Sequence, residues 1–584
     1  MPTAADATTM AEAFRLTADE HPDRVAVRTK DDEVSLTWGE LRRRVDALAG
    51  GLAKLGVAKG DTVALMFSNR PEFHIADLAV MTLGATPFSL YQTLAPEQIA
   101  YVVGDAGAKV ALIEQAFLEA VQAASAPSLE AIVVLEGGDG DGVVAWDDVE
   151  GSDPEFDAET HWRAVAPEDL LTLIYTSGTT GPPKGVQLTH RNLLAAVAAT
   201  KTVIDFPDGA KVISWLPSAH VAERVAHHYL PVVFAMTITC CPNPKEVVGY
   251  LPAVRPTWFF AVPRIWEKLR AAMLGFAFVA GTPERGWLDA AIAKVEAEQA
   301  GEDVPDDVAA SAAEGEAKFA EVRGMLGLDE AISVNVGAAP TPRDVLVFFH
   351  AIGIPLAELW GMSETCGAGT VNPPDAIKLG TVGPPVEGVE LKLASDGELL
   401  MRSEVVMQGY RNQPEQTAEA IDSDGWLHTG DIAEIDDDGY VKIVDRKKEL
   451  IISAAGKNMS PANIESALKG ASPLVGQVCV IGDARSYNTA LVVLDPDFAP
   501  AFAVKHGIEG ATLEELAGND AVRAAVQQGI DEGNAKLARV EQVKKFHIIA
   551  GDWAPGGDEL TPTMKLKRKP IAQKYAAEIE ALYA

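Results

Sequence analysis

Apolar positions along this chain alternate between two spacings, short unbroken runs of strand length and longer stretches at helical intervals. Leu36-Thr37-Trp38-Gly39-Glu40-Leu41 sets a capping Thr before a helical pattern that runs to about Leu55. Asp61 to Met66 reads as a strand and Ala76 to Leu83 as a helix. Leu90-Tyr91-Gln92-Thr93 leads into another helix, from about Ala95 to Val103. Leu171 to Tyr175 is a strand, and Val186 to Leu188 a second apolar stretch before a helix from His190. Strands follow at Ile332 to Val336, just before Leu359, and at Val478 to Ile481 and Ala490 to Leu494. This alternation predicts an α/β fold with a largely parallel sheet, followed by a small α+β region. Residues 137–160 are rich in Gly, Asp and Glu and read as a surface loop. Residues 280–325, rich in Ala and Glu, read as an exposed helical insertion. The longest apolar run, Tyr229 to Cys241, is too short to span a bilayer and reads as a buried strand or helix.

At 584 residues the chain is expected to hold more than one domain. Its 49 Lys and Arg against 84 Asp and Glu leave a net charge of −35, which argues against general nucleic-acid binding. Cys240, Cys241, Cys366 and Cys479 form no C-x-x-C pair, so neither a disulfide framework nor a zinc site is indicated, and a reducing, cytoplasmic setting fits. The N-terminal MPTAADATTMAEAF has neither a basic start nor an apolar core, so no secretory signal is expected. Peripheral membrane contact stays open.

The most informative stretch is Thr176-Ser177-Gly178-Thr179-Thr180-Gly181, followed by Pro182-Pro183-Lys184-Gly185. Six small residues at the end of a strand leave backbone N–H groups and hydroxyls free to converge on one anion. Lys184 adds a point charge. The P-loop pattern is excluded, because its second glycine would fall on Pro183 and no Ser or Thr follows Lys184. The string resembles the phosphate-binding loop of adenylate-forming enzymes: acyl-CoA synthetases, peptide-synthetase adenylation domains and firefly-type luciferases.

Further strings resemble that family in its order. Leu216-Pro217-Ser218-Ala219-His220 resembles a segment of long-chain synthetases whose histidine lies beside the acyl carboxylate. Val262-Pro263-Arg264-Ile265-Trp266-Glu267-Lys268 also resembles them; by itself it is a helix start with Pro near its first position and a packed Trp. Gly337-Ala338-Ala339 would lie along adenine. Trp360-Gly361-Met362-Ser363-Glu364 departs from the usual Y-G-M-T-E, keeping a flat ring and a hydroxyl. The resemblance implies Glu364, with Thr176, for Mg²⁺, a cation that bridges phosphates with one or two carboxylates. It implies Asp431 on the ribose hydroxyls, Ile443 and Arg446 nearby, Lys448 as a hinge, and Ala454-Ala455-Gly456 along the pantetheine of CoA. The tail Thr561-Pro562-Thr563-Met564-Lys565-Leu566-Lys567-Arg568 resembles the catalytic-lysine motif. Two alignments exist, giving Lys565 or Lys567, with Lys565 preferred.

The resemblance thus implies a large N-terminal α/β domain of mixed parallel sheets (1–445), a hinge (446–448) and a small mobile α+β domain (449–584). It implies catalytic roles for Lys565, His220 and Glu364, with ATP, Mg²⁺ and CoA as cofactors. The reaction implied is activation of a long-chain fatty acid to acyl-AMP and then transfer to CoA. A fatty acyl-AMP ligase loading a carrier protein and a catalytically idle nucleotide-binding protein at a membrane are the alternatives. A homodimer is a further expectation left open.

Overall fold

The structure, a computed structural model, describes residues 3–138, 140, 142–176, 182–453, 458–508 and 510–584. Its largest sheet is parallel throughout, in the spatial order Thr86–Ser89, Thr62–Met66, Val110–Glu114, Ala131–Leu135 and Val143–Ala145. Its central strands, Thr62–Met66, Val110–Glu114 and Ala131–Leu135, are near-continuous apolar runs, as in a parallel sheet covered on both faces. A second sheet sets Lys211–Ser214, Thr237–Cys240 and Val25–Thr29 in parallel and closes with antiparallel Ser35–Thr37. A third sets Trp258–Ala261, Ser333–Val336 and Leu356–Trp360 in parallel, with antiparallel Thr370–Val371 at its edge. Two antiparallel sheets complete this part: Gly409–Tyr410, Lys184–Thr189 and Leu170–Thr176, then Glu390–Leu393, Glu398–Arg402, Leu427–Ile435 and Val441–Arg446. The α/β class expected from the alternation is the class observed.

Beyond Arg446 the chain builds a smaller α+β layer. Val475–Ile481 pairs antiparallel with Asn488–Leu494, which pairs parallel with Val543–Ile548. Helices Pro461–Ala471 and Asp520–Asn534 cover the sheet. The buried apolar clusters separate at the same place. Those of the large part end by Val441, and those of the small part begin at Ile451.

Two expectations need correction, and a third is met in both of its forms. The 137–160 stretch holds a strand, Val143–Ala145, and helices Trp146–Val149 and Ala158–Arg163. Asp147, Asp148, Glu155, Asp157 and Glu159 are exposed while Trp146 and Val149 are buried, so average composition hid the periodicity. A Cβ on Gly51 would lie 2.0 Å from the Val149 carbonyl oxygen, so the helix Trp38–Lys54 meets this segment backbone to backbone. The 280–325 stretch is helical but not simply exposed. Phe319 and Val322 of helix Glu316–Leu326 are buried, with Phe319 against Phe278 at 5.9 Å between ring centroids. The Tyr229 to Cys241 run is both of its alternatives: helix Leu230–Phe234 breaks at Ala235, with φ of 49°, and strand Thr237–Cys240 follows.

Candidate active site

The site gathers where several strands end. Leu170–Thr176 and Lys184–Thr189 form an antiparallel hairpin with Thr176 opposite Lys184. Its connection carries Ser177, Gly178, Thr179, Thr180 and Gly181, which lie outside the described residues, as do Ala454, Ala455 and Gly456. Gly409–Tyr410 pairs with the other side of the hairpin. The Tyr410 ring then meets two site residues at once. The Lys184 ammonium sits 4.6 Å from its centroid, and its hydroxyl donates to Glu364 Oε1 at 2.8 Å. Burial first, and Glu364 second, push the Tyr410 phenol up out of its ordinary range. Tyr410 escaped the sequence reading because a two-residue strand has no periodicity; the Met407-Gln408-Gly409-Tyr410 string was its one local signal.

Glu364 lies in the turn Ser363–Thr365 and is buried. The loop that carries it is folded back tightly. A Cβ on Gly361 would stand 2.1 Å from the Gly367 carbonyl oxygen. The Met362 N–H donates to Thr365 Oγ1 at 3.1 Å, closing the turn over Ser363. Trp360 ends the strand Leu356–Trp360, and its indole N–H donates to Asp431 Oδ2 at 2.8 Å. Arg446 holds the other oxygen, Nε to Oδ1 at 2.8 Å. The pair is set by register, since Leu427–Ile435 and Val441–Arg446 place Asp431 opposite Arg446. Asp431 is 3% exposed, and burial raises its carboxyl against the lowering effects of Arg446 and Trp360. Ile443, half-buried on the same strand, packs on Leu399, Ala433 and Val441.

Gly337, Ala338 and Ala339 follow strand Ser333–Val336, with Ala338 in the left-handed region at φ 69°. A Cβ on Gly337 would meet Leu359 Cδ1 at 3.1 Å. Beside this loop stands Glu358, which accepts from the Thr341 N–H at 3.4 Å. Loss of hydration lifts its carboxyl to about 7, although part of its surface still meets solvent. Nothing local in the sequence singled it out.

Two sequence-distant residues close the cleft. His220 caps the short helix Val221–Arg224, its Nδ1 accepting the Ala222 N–H at 3.2 Å. That bond leaves the proton of the neutral ring on Nε2. Desolvation, and then Lys565, push His220 down to about 4. Lys565 is crowded by protein yet solvent reaches it, as in an open cleft. Desolvation and then Arg446 lower it; Asp431, Glu364 and Glu449 act in the opposite direction. Lys565 therefore lies within electrostatic reach of His220, Asp431, Glu364 and Arg446. Lys567 does not join them: its ammonium donates to the Gly557 carbonyl at 2.8 Å, inside the small part. Arg568 is structural in the same sense, bidentate on Glu465 at 2.6 and 2.8 Å. Lys448 sits exposed in the turn after strand Val441–Arg446.

The arrangement puts three cations, Lys184, Arg446 and Lys565, around one cleft of an otherwise acidic protein. Among the described residues no group of three or more His, Cys, Asp or Glu could cage a metal. One buried carboxylate fits a cation that arrives on phosphate oxygens and keeps most of its water. No helix among the described residues is long and apolar enough to cross a membrane.

Known proteins match most of the chain. A family profile described as AMP-binding enzyme matches residues 14–411, and the AMP-binding enzyme C-terminal domain matches 448–584. A Mycobacterium tuberculosis protein provisionally named fatty-acid–CoA ligase fadD11 is 50% identical over 436 residues, 74% of this chain and 76% of its own. The long-chain-fatty-acid–CoA ligase FadD15 of the same organism is 33% identical over 577 residues, 96% of this chain and 95% of its own. Among solved structures, the Bacillus subtilis O-succinylbenzoate coenzyme A synthetase MenE, in complex with ATP and magnesium ion, superposes with a TM-score of 0.68 at 22% identity. It covers 95% of this chain and 98% of its own, a likeness of fold.

Proposed function

Because the chain belongs to the AMP-binding enzyme family, we propose that it activates a long-chain fatty acid with ATP and passes the acyl group to CoA. The convergence of Lys565, Asp431, Glu364 and His220, drawn from four separate segments onto one cleft, carries this reading. The likeness to FadD15 supports the chain-length class.

In the first step the fatty-acid carboxylate attacks the α-phosphate of ATP and pyrophosphate leaves. The substrate is already an anion, so no protein nucleophile is needed; the protein positions the reactants and stabilises charge. Asp431 accepts from the ribose hydroxyls, with Arg446 and Trp360 fixing its orientation. Lys565 neutralises charge developing at the α-phosphate. The loop at 176–181 and Lys184 hold the departing phosphates. Bound Mg²⁺ would supply electrophilic polarisation of the phosphates, with Glu364 as its protein carboxylate and Thr176 alongside. His220, neutral at working pH, places an Nε2–H donor in the cleft for the acyl carboxylate. In the second step the small domain turns about Lys448. That withdraws Lys565 and brings 454–456 to the site, where the CoA thiolate attacks the acyl carbonyl and AMP leaves. The four buried, unpaired cysteines support a reducing, cytoplasmic setting.

The test is purified protein with ATP, Mg²⁺ and palmitate, with and without CoA, following AMP and palmitoyl-CoA together. Turnover that requires CoA and yields palmitoyl-CoA is the expected result. Pyrophosphate release with no thioester would replace CoA by another acceptor, as in an acyl-AMP ligase. Absence of both would remove the enzyme reading.

A further inference from the structure

The Val262-Pro263-Arg264-Ile265-Trp266-Glu267-Lys268 segment has no part in the chemistry above. It opens helix Pro263–Phe276, and Trp266 fixes that helix to the large domain. The Trp266 side chain is fully buried, edge-on to Phe259 at 5.7 Å and to Phe349 at 5.0 Å. The polar residues of the segment point the other way. Arg264 forms an ion pair with Asp495, and Glu267 braces the same guanidinium at 3.0 Å. Lys268 pairs with Asp497 at 2.5 Å. Asp495 and Asp497 follow strand Asn488–Leu494 of the small domain, and Asp495 is itself buried, its Oδ1 accepting the Asp497 and Phe498 N–H groups.

The same helix extends the contact. Arg270 holds Asp344 at 3.1 Å, and Asp344 also meets Lys536 of the small domain at 3.4 Å. Next to it, a Cβ on Gly470 would touch Pro342 at 3.3 Å, so helix Pro461–Ala471 lies close on the large domain. One rigid helix therefore carries cations on the face that meets carboxylates from across the hinge. The orientation they join is the one that places Lys565 beside Asp431 and His220.

We propose that Arg264 and Lys268 are positioning residues that clamp the small domain, through Asp495 and Asp497, in the orientation that delivers Lys565 to the adenylation site. This rests on the two-step reading above. Its consequence is a division between the steps: the clamp favours adenylation and must open for transfer to CoA. An exposed pair of this kind contributes up to about 1 kcal/mol, a factor of about five. The Arg264–Asp495 pair is worth more, because removing the guanidinium strands a buried carboxylate.

The experiment separates the half-reactions in the full-length protein. Palmitate-dependent exchange of labelled pyrophosphate into ATP reads the first; conversion of synthetic palmitoyl-AMP and CoA to palmitoyl-CoA reads the second. Lys268→Glu should lower exchange about fivefold, and Arg264→Ala about tenfold or more, with the second half-reaction within about twofold of wild type. Adding Asp497→Lys to Lys268→Glu, a reversal of an exposed pair outside the core, should restore exchange. Spin labels on Ala272→Cys and Ala501→Cys read the orientation without any activity, the native thiols being buried. Lys268→Glu should add a second distance population that the reversed pair removes. Equal loss of both half-reactions, no rescue by the reversed pair, or an unchanged distance distribution would each overturn the clamp. If wild-type protein shows no palmitate-dependent exchange, the functional reading falls instead, and the distance distributions alone decide the clamp.

Discussion

Lys565 and Lys567 stand two positions apart in a basic tail, yet their surroundings give them different work. Lys567 is spent on a carbonyl of its own domain. Lys565 faces Asp431, Glu364 and His220. Lys565→Ala should cut adenylation by about a hundredfold or more, the usual cost of losing one group that stabilises transition-state charge. Lys567→Ala should stay within a few-fold of wild type. Pyrophosphate exchange on the two variants makes the comparison, and a larger loss at Lys567 would exchange the assignments. The sign of the Lys565 shift adds a pH signature. Its ammonium is depressed, so charge is lost at a lower pH than for a free lysine. kcat/KM for ATP should therefore fall as pH rises through a value below the ordinary lysine range, and Lys565→Arg should abolish that limb.

At the scale of elements, the strands and helices that carry motifs were legible because each follows from local pattern. The strand leading to Thr176 and the strand ending at Trp360 are of this kind. Asp431 and Arg446 were each expected at the ribose only by resemblance, and their ion pair was not expected; strand register produces it, and register is not local. Tyr410 and Glu358 were invisible for the same reason, since their importance comes from neighbours distant in sequence. The 137–160 stretch failed differently. Its acidic composition suggested a loop, while Trp146 and Val149 anchor it beneath the helix Trp38–Lys54. Gly51 makes that contact possible, so Gly51→Ala should drive the Val149 backbone away and cost about 1–3 kcal/mol, the range for overpacking. A chemical-denaturation midpoint equal to wild type would mean the helix can shift freely. Gly56→Ala, where nothing lies within 4 Å of the added Cβ, supplies the contrast, with only the strain of φ 86° to bear.

Across the whole molecule, acid sensitivity is built into buried imidazoles. His190 is 1% exposed, accepts the Met10 N–H at 3.1 Å on Nδ1, and is pushed by burial from 6.5 to about 4. The unfolded chain binds the proton first, so the folded state's advantage is intact above the unfolded value and is lost as pH falls from about 6.5 to about 4. The expected loss is on the order of 3 kcal/mol for this residue alone. His190→Gln should flatten that part of the stability profile; an unchanged profile would show that other groups dominate it. The separation of the buried clusters at 441–451 adds that the two domains need not melt together.

If Asp431 receives the ribose as proposed, its carboxylate also sets a rule about sugars. Its two oxygens offer about four acceptor positions. The Arg446 guanidinium and the Trp360 indole take one on each oxygen, leaving room for a vicinal diol to complete the shell. A 2′-deoxynucleotide would leave one of those positions bare in a site 3% exposed, where an unmet polar group costs about 1–3 kcal/mol. Competition between ATP and dATP should accordingly favour the ribonucleotide by about fivefold to a hundredfold, and Asp431→Asn should narrow the gap. Discrimination between RNA-type and DNA-type triphosphates would then follow from two internal hydrogen bonds made before any nucleotide arrives.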